Sequence, residues 1–274
     1  MAYAAATEFY IAALITGLGG ARLLHHITDA DLARYVATRR SNVSDSTVNR
    51  ELAQFRAMNR KAKDLWNYVA SPAVVGQHML PEPAARTRYL DRADEADRLL
   101  DACAPHLRPV IVAALATGLR RGNLLALDWS QVDLRHRVIT VMVKSRKPGG
   151  KALTVPIIAP LMVELMALGP KQNGPVFLRK GKPLGSVKTA FRAACRRAGV
   201  TGFRFHDLRH TCASWLIQAG VPLDVIQAIL GHAHISTTQR YAHQRADGKR
   251  VAMEAALGGG KDQGVTLIET KRLA

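Results

Sequence analysis

Three closely spaced prolines, Pro72, Pro81 and Pro83, divide this chain into two parts. Proline has no backbone N–H to donate and its ring clashes with the preceding helical turn, so a helix does not continue through such a cluster. Apolar residues recur at helical spacing on both sides of the cluster but not within it. A chain of 274 residues is long enough for two domains, and we expect a linker over residues 73–86 to join them.

Residues 1–72 are expected to form a small helical bundle. Asp29 or Asp31 is placed to cap one helix. The apolar face of that helix is formed by Leu32, Tyr35 and Val36. Another helix is predicted to begin at Ser44–Ser46. Its polar surfaces carry Arg50, Arg56, Arg60, Lys61 and Lys63, so the bundle is predicted to be basic.

Residues 87–257 are predicted to be mainly helical with a small antiparallel β-sheet. Helices are expected near Asp91, and over 107–117 with a stop at Gly118. A later helix opens at Pro222 and closes at Gly231. Alternating apolar residues predict strands over 138–143 and 153–157, joined as a hairpin, and a third short strand over 176–178.

The charge balance indicates a polyanionic partner. Lys and Arg number 39 against 21 Asp and Glu, a formal net charge of +18, and such an excess attracts nucleic acid through release of counterions. A basic housekeeping protein, such as a ribosomal protein, would carry a similar charge. Charge alone therefore leaves the function open.

Cysteine usage and apolar runs indicate the compartment. The three cysteines, Cys103, Cys195 and Cys212, include no CxxC pair, so no zinc or redox centre is predicted and a reducing cytosol fits. The longest apolar runs are shorter than the ~20 residues that span a bilayer. We expect a cytoplasmic protein without a cofactor, a metal or a membrane association.

Two basic residues stand at the ends of predicted elements. Arg120 follows the glycine that stops one helix and precedes the next helix, where its guanidinium and free backbone amides both favour an anion. Lys144 ends the first strand of the hairpin. Taken alone, the arginine is explained equally well as a solvated side chain, and a lysine in a hairpin turn is usually just solvated. Their interpretation therefore depends on the other segments.

The run His206-Asp207-Leu208-Arg209-His210 is the most informative short segment. His206 and Arg209 are three residues apart and share a helical face, so an imidazole and a guanidinium can address one phosphate. An alternative is a zinc helix of the HExxH type with His206 and His210 as ligands. Asp207 stands where that motif requires glutamate, which disfavours zinc hydrolysis.

The segment from Gly231 to Tyr241 supplies a candidate nucleophile. Gly231 turns the chain, His232 follows it, and Ser236 can cap a helix that presents Tyr241. A tyrosine alone is more often a core or surface residue than a nucleophile. The residues around Tyr241 in the sequence are what favour its interpretation as a nucleophile.

In chain order, the runs TGLRRGNLLAL, HDLRHTCASWL and LGHAHISTTQRYAH, together with the hairpin lysine, resemble the catalytic signature of the tyrosine recombinases, the phage integrase family. The resemblance covers residues 87–257 and implies a tyrosine-recombinase catalytic domain there. A less specific resemblance, at STVNREL over 46–52, implies a helical core-binding domain over 1–72.

The resemblance implies a role for each site residue. These residues are Arg120, Lys144, His206, Arg209, His232 and Tyr241. The arginines would hold the scissile phosphate, and the tyrosine would attack it. The first histidine would help to take the tyrosine's proton, the second would bond to the phosphate, and the lysine would protonate the departing 5′ oxygen.

The implied activity is site-specific recombination through a covalent 3′-phosphotyrosine link, without ATP or a metal. The implied partner is double-stranded DNA with a core-type site, bound by four protomers on two synapsed sites with DNA-bending accessory proteins, in the nucleoid. Residues 258–274 would form a tail that is exchanged between subunits, or that folds back on its own domain. A type IB topoisomerase and a catalytically inactive DNA-binding relative are the alternatives.

Two features depart from the family pattern. Asn123 stands three positions after Arg120, where the family commonly has an acidic residue, which predicts weaker bracing of that arginine. The bundle starts almost at Met1 with a helix that looks short, and no arm-binding domain is seen before it. This second departure predicts binding to core sites only.

Overall fold

A computed structural model describes residues 2–82, 88–92, 94–143 and 149–231. They form two compact units, one within residues 1–85 and the other within residues 86–274. Helices are the main regular structure in both, and the second also contains small antiparallel sheets, so the predicted fold class is confirmed. No helix in these ranges has both the length and the apolar character needed to cross a bilayer.

Three helices build the described part of the first unit: α1 Ala2–Leu18, α2 Asp29–Arg40 and α3 Asp45–Asp64. Short 3-10 turns lie at Leu24–His26 and Val75–His78. Apolar side chains from the helices and from both turns pack in one core. Helix α1 is 17 residues long, so the expectation of a short first helix is wrong. The helix predicted to begin at Ser44–Ser46 is confirmed as α3.

Helix α2 is capped by a residue that the sequence pattern did not single out. Its N-cap is Thr28, which forms a capping box with Asp31. The Asp31 carboxylate accepts hydrogen bonds from the Thr28 amide at 2.9 Å and the Thr28 hydroxyl at 2.8 Å. Asp29 instead accepts from the amide of Val74 at 2.9 Å. The predicted caps, Asp29 and Asp31, are thus both inside the helix, where they serve other contacts.

The first part of the predicted linker packs on the first unit. Ala73 and Val75 are buried in its core. The side-chain amide of Asn49 forms two hydrogen bonds with the backbone of Leu80, each 2.8 Å long. The chain therefore remains attached to this unit beyond Pro72 and as far as Leu80.

Seven α-helices lie in the described part of the second unit. They are α4 Glu95–Asp101, α5 Arg108–Thr117, α6 Arg121–Leu125, α7 Ala159–Ala167, α8 Lys188–Arg197, α9 Asp207–Gln218 and α10 Leu223–Leu230. Helix α5 is buried along most of its length and lies at the centre of the core. Its predicted stop at Gly118 is confirmed, as are the predicted start and stop of α10.

A three-stranded antiparallel sheet packs against these helices. Its strands, in spatial order, are β1 Val132–Asp133, β2 Val138–Val143 and β3 Lys151–Pro156. Ile139 lies opposite Val155, and Val141 lies opposite Leu153. All four side chains are buried, so one face of the hairpin joins the core. The predicted hairpin is confirmed.

Two other predictions in this unit need correction. The third strand was expected to include Val176, but that residue is buried outside any strand, and its amide donates to a backbone carbonyl in another segment. The strand β4 Leu178–Arg179 pairs with β5 Lys182–Pro183 in a separate ribbon. The helix expected near Asp91 begins instead at Glu95, and residues 91 and 92 before it belong to no helix.

Candidate phosphate-binding and catalytic site

Arg120 lies in a short turn between α5 and α6. The Thr117 hydroxyl fixes this turn, because it donates to the Ala113 carbonyl at 2.6 Å and accepts from the Leu119 amide at 3.2 Å. Leu119 is buried, whereas Arg120 is exposed and is the N-cap residue of α6. The buried leucine anchors the turn, and the turn presents the guanidinium to solvent.

Gly118, which ends α5, has a position that only glycine tolerates easily. Its φ of +60° is left-handed, a conformation that is costly for residues with a Cβ atom. A Cβ atom there would overlap the side chain of Leu230 and lie 3.2 Å from Cys212 Sγ. Gly118 therefore allows α9 and α10 to approach the turn that carries Arg120.

Arg209, in the first turn of α9, is buried beside this turn, with only 5% of its surface exposed. Its Nη1 donates to the Gly118 carbonyl and its Nη2 donates to the Leu230 carbonyl, each at 2.7 Å. These carbonyls lie at the C-terminal ends of α5 and α10, where helix carbonyls carry partial negative charge. The guanidinium is thus held by two helix ends, and one of its hydrogen bonds is to the turn that presents Arg120.

His206 is the N-cap residue of α9, and its carbonyl accepts a hydrogen bond from the Arg209 amide at 3.1 Å. Its ring lies 5.1 Å from that of His210 in an edge-to-face arrangement. Burial by surrounding protein lowers the pKa of His206, and the charges of Arg209, Arg120 and Arg121 lower it further, against an opposing effect of the neighbouring Asp207. The imidazole therefore favours its neutral form, which can accept a proton.

Asp207 has a structural position rather than a metal-binding one. Its side chain is 2% exposed, and its Oδ2 accepts a hydrogen bond from the Arg204 amide at 2.8 Å. The part of the chain that the structure describes contains no group of three or more His, Cys, Asp or Glu side chains placed to hold a metal ion. This geometry gives the zinc-helix alternative no support.

Asn123, which stands where the family that the sequence resembles commonly has an acidic residue, connects α6 with the sheet. Its side-chain amide donates to the Met142 carbonyl at 3.3 Å. A carboxylate could not donate this hydrogen bond. Asn123 thus ties α6, whose N-cap is Arg120, to Met142, the residue before the last residue of β2.

Three predicted site residues, Lys144, His232 and Tyr241, lie outside the described residues. The Ser236 cap and the tail over 258–274 lie outside them as well. The other three predicted site residues are connected by hydrogen bonds: the Arg209 amide donates to the His206 carbonyl, and the Arg209 guanidinium donates to the Gly118 carbonyl, two residues before Arg120.

Sequence reasoning did not identify everything that shapes this site. It recognised Gly118 as a helix stop, but it did not identify the carbonyls of Gly118 and Leu230 as hydrogen-bond acceptors for Arg209. Both are backbone contacts, which leave no signature in residue type. Arg121 was also missed, although its place beside Arg120 was a usable signal.

Arg120, Arg209 and His206, whose pKa is lowered, thus lie on segments that the sequence analysis assigned to one site. Residues 90–247 match the model of the phage integrase family, and the chain belongs to that family. The integrase of Salmonella phage P22 is 37% identical over 210 residues, covering 70% of this chain and 52% of its own length.

Other relatives are similar in kind. The integrase of Escherichia phage 186 is 31% identical over 77% of this chain and 60% of its own length. The tyrosine recombinase XerC of Lactobacillus delbrueckii subsp. bulgaricus is 29% identical over 79% of this chain and 78% of its own length. The chain thus spans about half of the phage P22 relative and more of XerC.

Solved structures of the same fold include the Tn1549 transposon integrase in complex with transposon right end DNA. The TM-score is 0.74 at 19% identity, covering 93% of each chain. The XerH site-specific recombinase, in a post-cleavage complex with a palindromic difH substrate, has a TM-score of 0.69 at 20% identity, covering 92% of this chain and 78% of its own. At these identities the likeness shows the fold alone.

Proposed function

We propose that this chain is a site-specific DNA recombinase that cuts and rejoins double-stranded DNA through a covalent 3′-phosphotyrosine link to Tyr241. The observation that carries the proposal is the grouping of Arg120, His206 and Arg209 in the second unit, on segments that match the family's signature. Membership of the phage integrase family supports the same reaction.

The two arginines supply the electrostatic part of the reaction. A phosphodiester repels nucleophiles by its charge, and negative charge develops on its nonbridging oxygens in the transition state. Arg120 is exposed, so its side chain can adjust its position to the bound phosphate. Arg209 is buried and is already held by two hydrogen bonds. Together they perform the charge stabilisation that metal ions provide in other phosphoryl-transfer enzymes.

His206 supplies the base. A tyrosine hydroxyl has an ordinary pKa of about 10, so attack by Tyr241 at neutral pH needs an acceptor for its proton. The lowered pKa of His206 keeps the imidazole neutral and ready to accept. In our proposal His232 donates a hydrogen bond to the phosphate.

The remaining step is departure of the 5′ oxygen. As the bond from phosphorus to Tyr241 forms, the bond to the 5′ oxygen breaks, and Lys144 gives that oxygen a proton. Rejoining is the reverse, with a 5′ hydroxyl attacking the phosphotyrosine link. Because the link replaces the broken bond, the reaction consumes no ATP.

The direct test uses a nicked suicide DNA substrate, whose cleaved strand loses the short 5′-hydroxyl fragment and traps the intermediate. Wild-type protein should form a covalent adduct that survives denaturation, and Tyr241→Phe should form none while still binding the DNA. An adduct with Tyr241→Phe would reject the proposal. Absence of an adduct with the wild type on every DNA tested would instead support an inactive DNA-binding relative.

Exchange between duplexes separates a recombinase from a type IB topoisomerase. The two share the covalent chemistry, but only a recombinase joins strands of two different duplexes at a defined site. We expect labelled strands to appear in recombinant products when two site-bearing duplexes are present. Relaxation of any supercoiled plasmid, with no recombinant product, would favour the topoisomerase.

We propose that the first unit is the core-binding domain. Five basic residues lie exposed on α3: Arg50, Arg56, Arg60, Lys61 and Lys63. Contacts of such residues with phosphates supply affinity and salt dependence without sequence choice. Replacing two of them with glutamine should reduce the slope of log affinity against log salt by about 2, as measured by fluorescence anisotropy.

We also propose that four protomers act on two synapsed sites and that residues 258–274 are exchanged between them. A mainly apolar groove of about 690 Å³ between α4, α5, α7 and α9 is a suitable place for the tail's apolar piece, residues 265–268. Val163→Glu changes an exposed residue of the groove, and Met166→Glu changes an exposed residue of α7 outside it.

Val163→Glu and deletion after Gly258 should both impair assembly and strand exchange, whereas Met166→Glu should not. The assays are native gels of synaptic complexes and strand exchange. Unchanged assembly in the deletion would reject tail exchange. An effect of Met166→Glu equal to that of Val163→Glu would reject the groove as the place where the tail binds.

A further inference from the structure

The Arg209 guanidinium connects the ends of two helices that are far apart in the sequence. One of its nitrogen atoms bonds to the Gly118 carbonyl at the end of α5, and the other to the Leu230 carbonyl at the end of α10, both at 2.7 Å. The side chain is buried, so these bonds are shielded from water. Phosphate binding by itself does not require either of them.

The end of α10 is held by packing at the same place. Gly118 packs so closely that an added Cβ atom would overlap Leu230. Gly231, the left-handed residue that ends α10, also packs closely against β3, because a Cβ atom there would lie 2.8 Å from Leu153 Cδ2. Arg209 adds two hydrogen bonds to this packing, because it donates to carbonyls at the ends of α5 and α10 that have no partner within their own helices.

We propose that Arg209 is a positioning residue for the C-terminal end of α10 as well as a phosphate ligand. The chain continues from this end to His232 and Tyr241. One guanidinium would then both bind the phosphate and fix the point from which the nucleophile's segment starts. The helix-positioning part stands on the hydrogen bonds alone, and the link to the nucleophile rests on the proposed function.

The test compares Arg209→Lys with Arg120→Lys in the full chain without DNA. Lysine keeps the charge in both variants, but a single ammonium lacks the planar fork that reaches two carbonyls at once. Hydrogen exchange, followed by mass spectrometry, should be about tenfold faster or more in peptides covering the end of α10 in Arg209→Lys. Arg120→Lys should match the wild type there, and the peptides of β2 and of α3 should be unchanged in both variants.

A spectroscopic readout tests the link to the nucleophile. The chain has six tyrosines, so protein labelled with 3-fluorotyrosine gives few fluorine resonances, and that of Tyr241 is the one missing in Tyr241→Phe. Arg209→Lys should shift or broaden this resonance, and Arg120→Lys should leave it in place. Arg209→Gln, which is neutral and can donate to one carbonyl, is the second variant if the lysine variant does not fold.

The proposal is overturned if exchange at the end of α10 is the same in the wild type and in the Arg209 variants. It is also overturned if the Tyr241 resonance responds equally to changes at Arg209 and at Arg120. Failure of the proposed function looks different, because covalent adducts would then persist in Tyr241→Phe whatever the exchange data show.

Discussion

Arg120 and Arg209 are the same residue type in two contrasting regions of one unit. Arg120 is exposed on a turn whose backbone is fixed by Thr117 and by the buried Leu119. Arg209 is 5% exposed and its side chain itself is fixed, by the carbonyls of Gly118 and Leu230. The fold positions the backbone of Arg120 but leaves its side chain in solvent, whereas the side chain of Arg209 is itself part of the packed and hydrogen-bonded interior. Their loss should have the same consequence for chemistry but different consequences for stability.

Replacing each arginine with alanine should separate these consequences most strongly. Arg209→Ala leaves two buried carbonyls without their charged donor and should lower the free energy of unfolding by about 3 kcal/mol. Arg120→Ala should change it by less than about 0.5 kcal/mol. Both should slow single-turnover DNA cleavage by about 100-fold or more. Urea unfolding and suicide-substrate cleavage measure the two effects, and equal destabilisation by both variants would end the comparison.

The close contact at Gly118 gives the next largest effect. Gly118→Ala places a Cβ atom in a left-handed conformation and against Leu230, and should cost about 3 kcal/mol. Gly122→Ala is the matched control, since Gly122 lies within α6 with no atom near the added Cβ. It should be neutral or stabilise by up to about 1 kcal/mol. Thermal unfolding of both variants measures this difference in stability. A Gly118→Ala variant as stable as the wild type would show that the close contact between Gly118 and Leu230 is not needed to hold α10.

The pH dependence of cleavage tests how the arginines act on His206. The pKa of His206 is lowered, so its neutral form persists to lower pH than in a free histidine, and the rate should fall only as pH drops through that lowered pKa. Arg121→Gln removes one of the charges that lower the pKa. The acid limb of the pH–rate profile should then move to higher pH.

Arg179→Gln is the control for this shift, because the charge of exposed Arg179 acts on His106 instead. It should leave the acid limb of the profile where it is in the wild type. An identical profile for wild type and Arg121→Gln would contradict the assigned influence of Arg121 on His206.

Asn123→Asp should have the smallest effect. It removes the donor to the Met142 carbonyl, an exposed bond of 3.3 Å, and should cost about 1 kcal/mol or less. If Arg120 is positioned by its turn, restoring the family's acidic residue should change the cleavage rate by less than about fivefold, a barrier change below about 1 kcal/mol. A gain of tenfold or more would show that Arg120 lacks a brace in this chain.

Much of the fold could be predicted from the sequence because its signals are local. Helices α5 and α10 end at Gly118 and Gly231, as the two glycines predicted. The alternation of apolar residues over 138–143 predicted both ends of β2 correctly. The failures had two sources. Thr28 caps α2 through a local capping box with Asp31, a signal that the sequence analysis overlooked. Val176 is buried by tertiary packing rather than by strand pairing. Helix α7 was not predicted, since Pro160 and a short apolar run left no clear period.

In the candidate site, too, local features could be predicted from the sequence and tertiary contacts could not. His206 and Arg209 could be assigned to one face of a helix from their spacing, and Arg120 to a helix start from the preceding glycine. The two carbonyls that hold Arg209 could not be predicted, because any residue provides a carbonyl and only the fold determines which one is near. The pKa of His206 likewise depends on burial and on arginines from different segments.

Mapping the DNA-linked amino acid tests the central claim most directly. The covalent adduct trapped on suicide DNA can be digested with nuclease and trypsin, and the modified peptide sequenced by mass spectrometry. Trypsin cuts after Arg240 and Arg245, so the account predicts a nucleotide attached to Tyr241 in the peptide YAHQR. A nucleotide on a serine, on another tyrosine or on a histidine would contradict it.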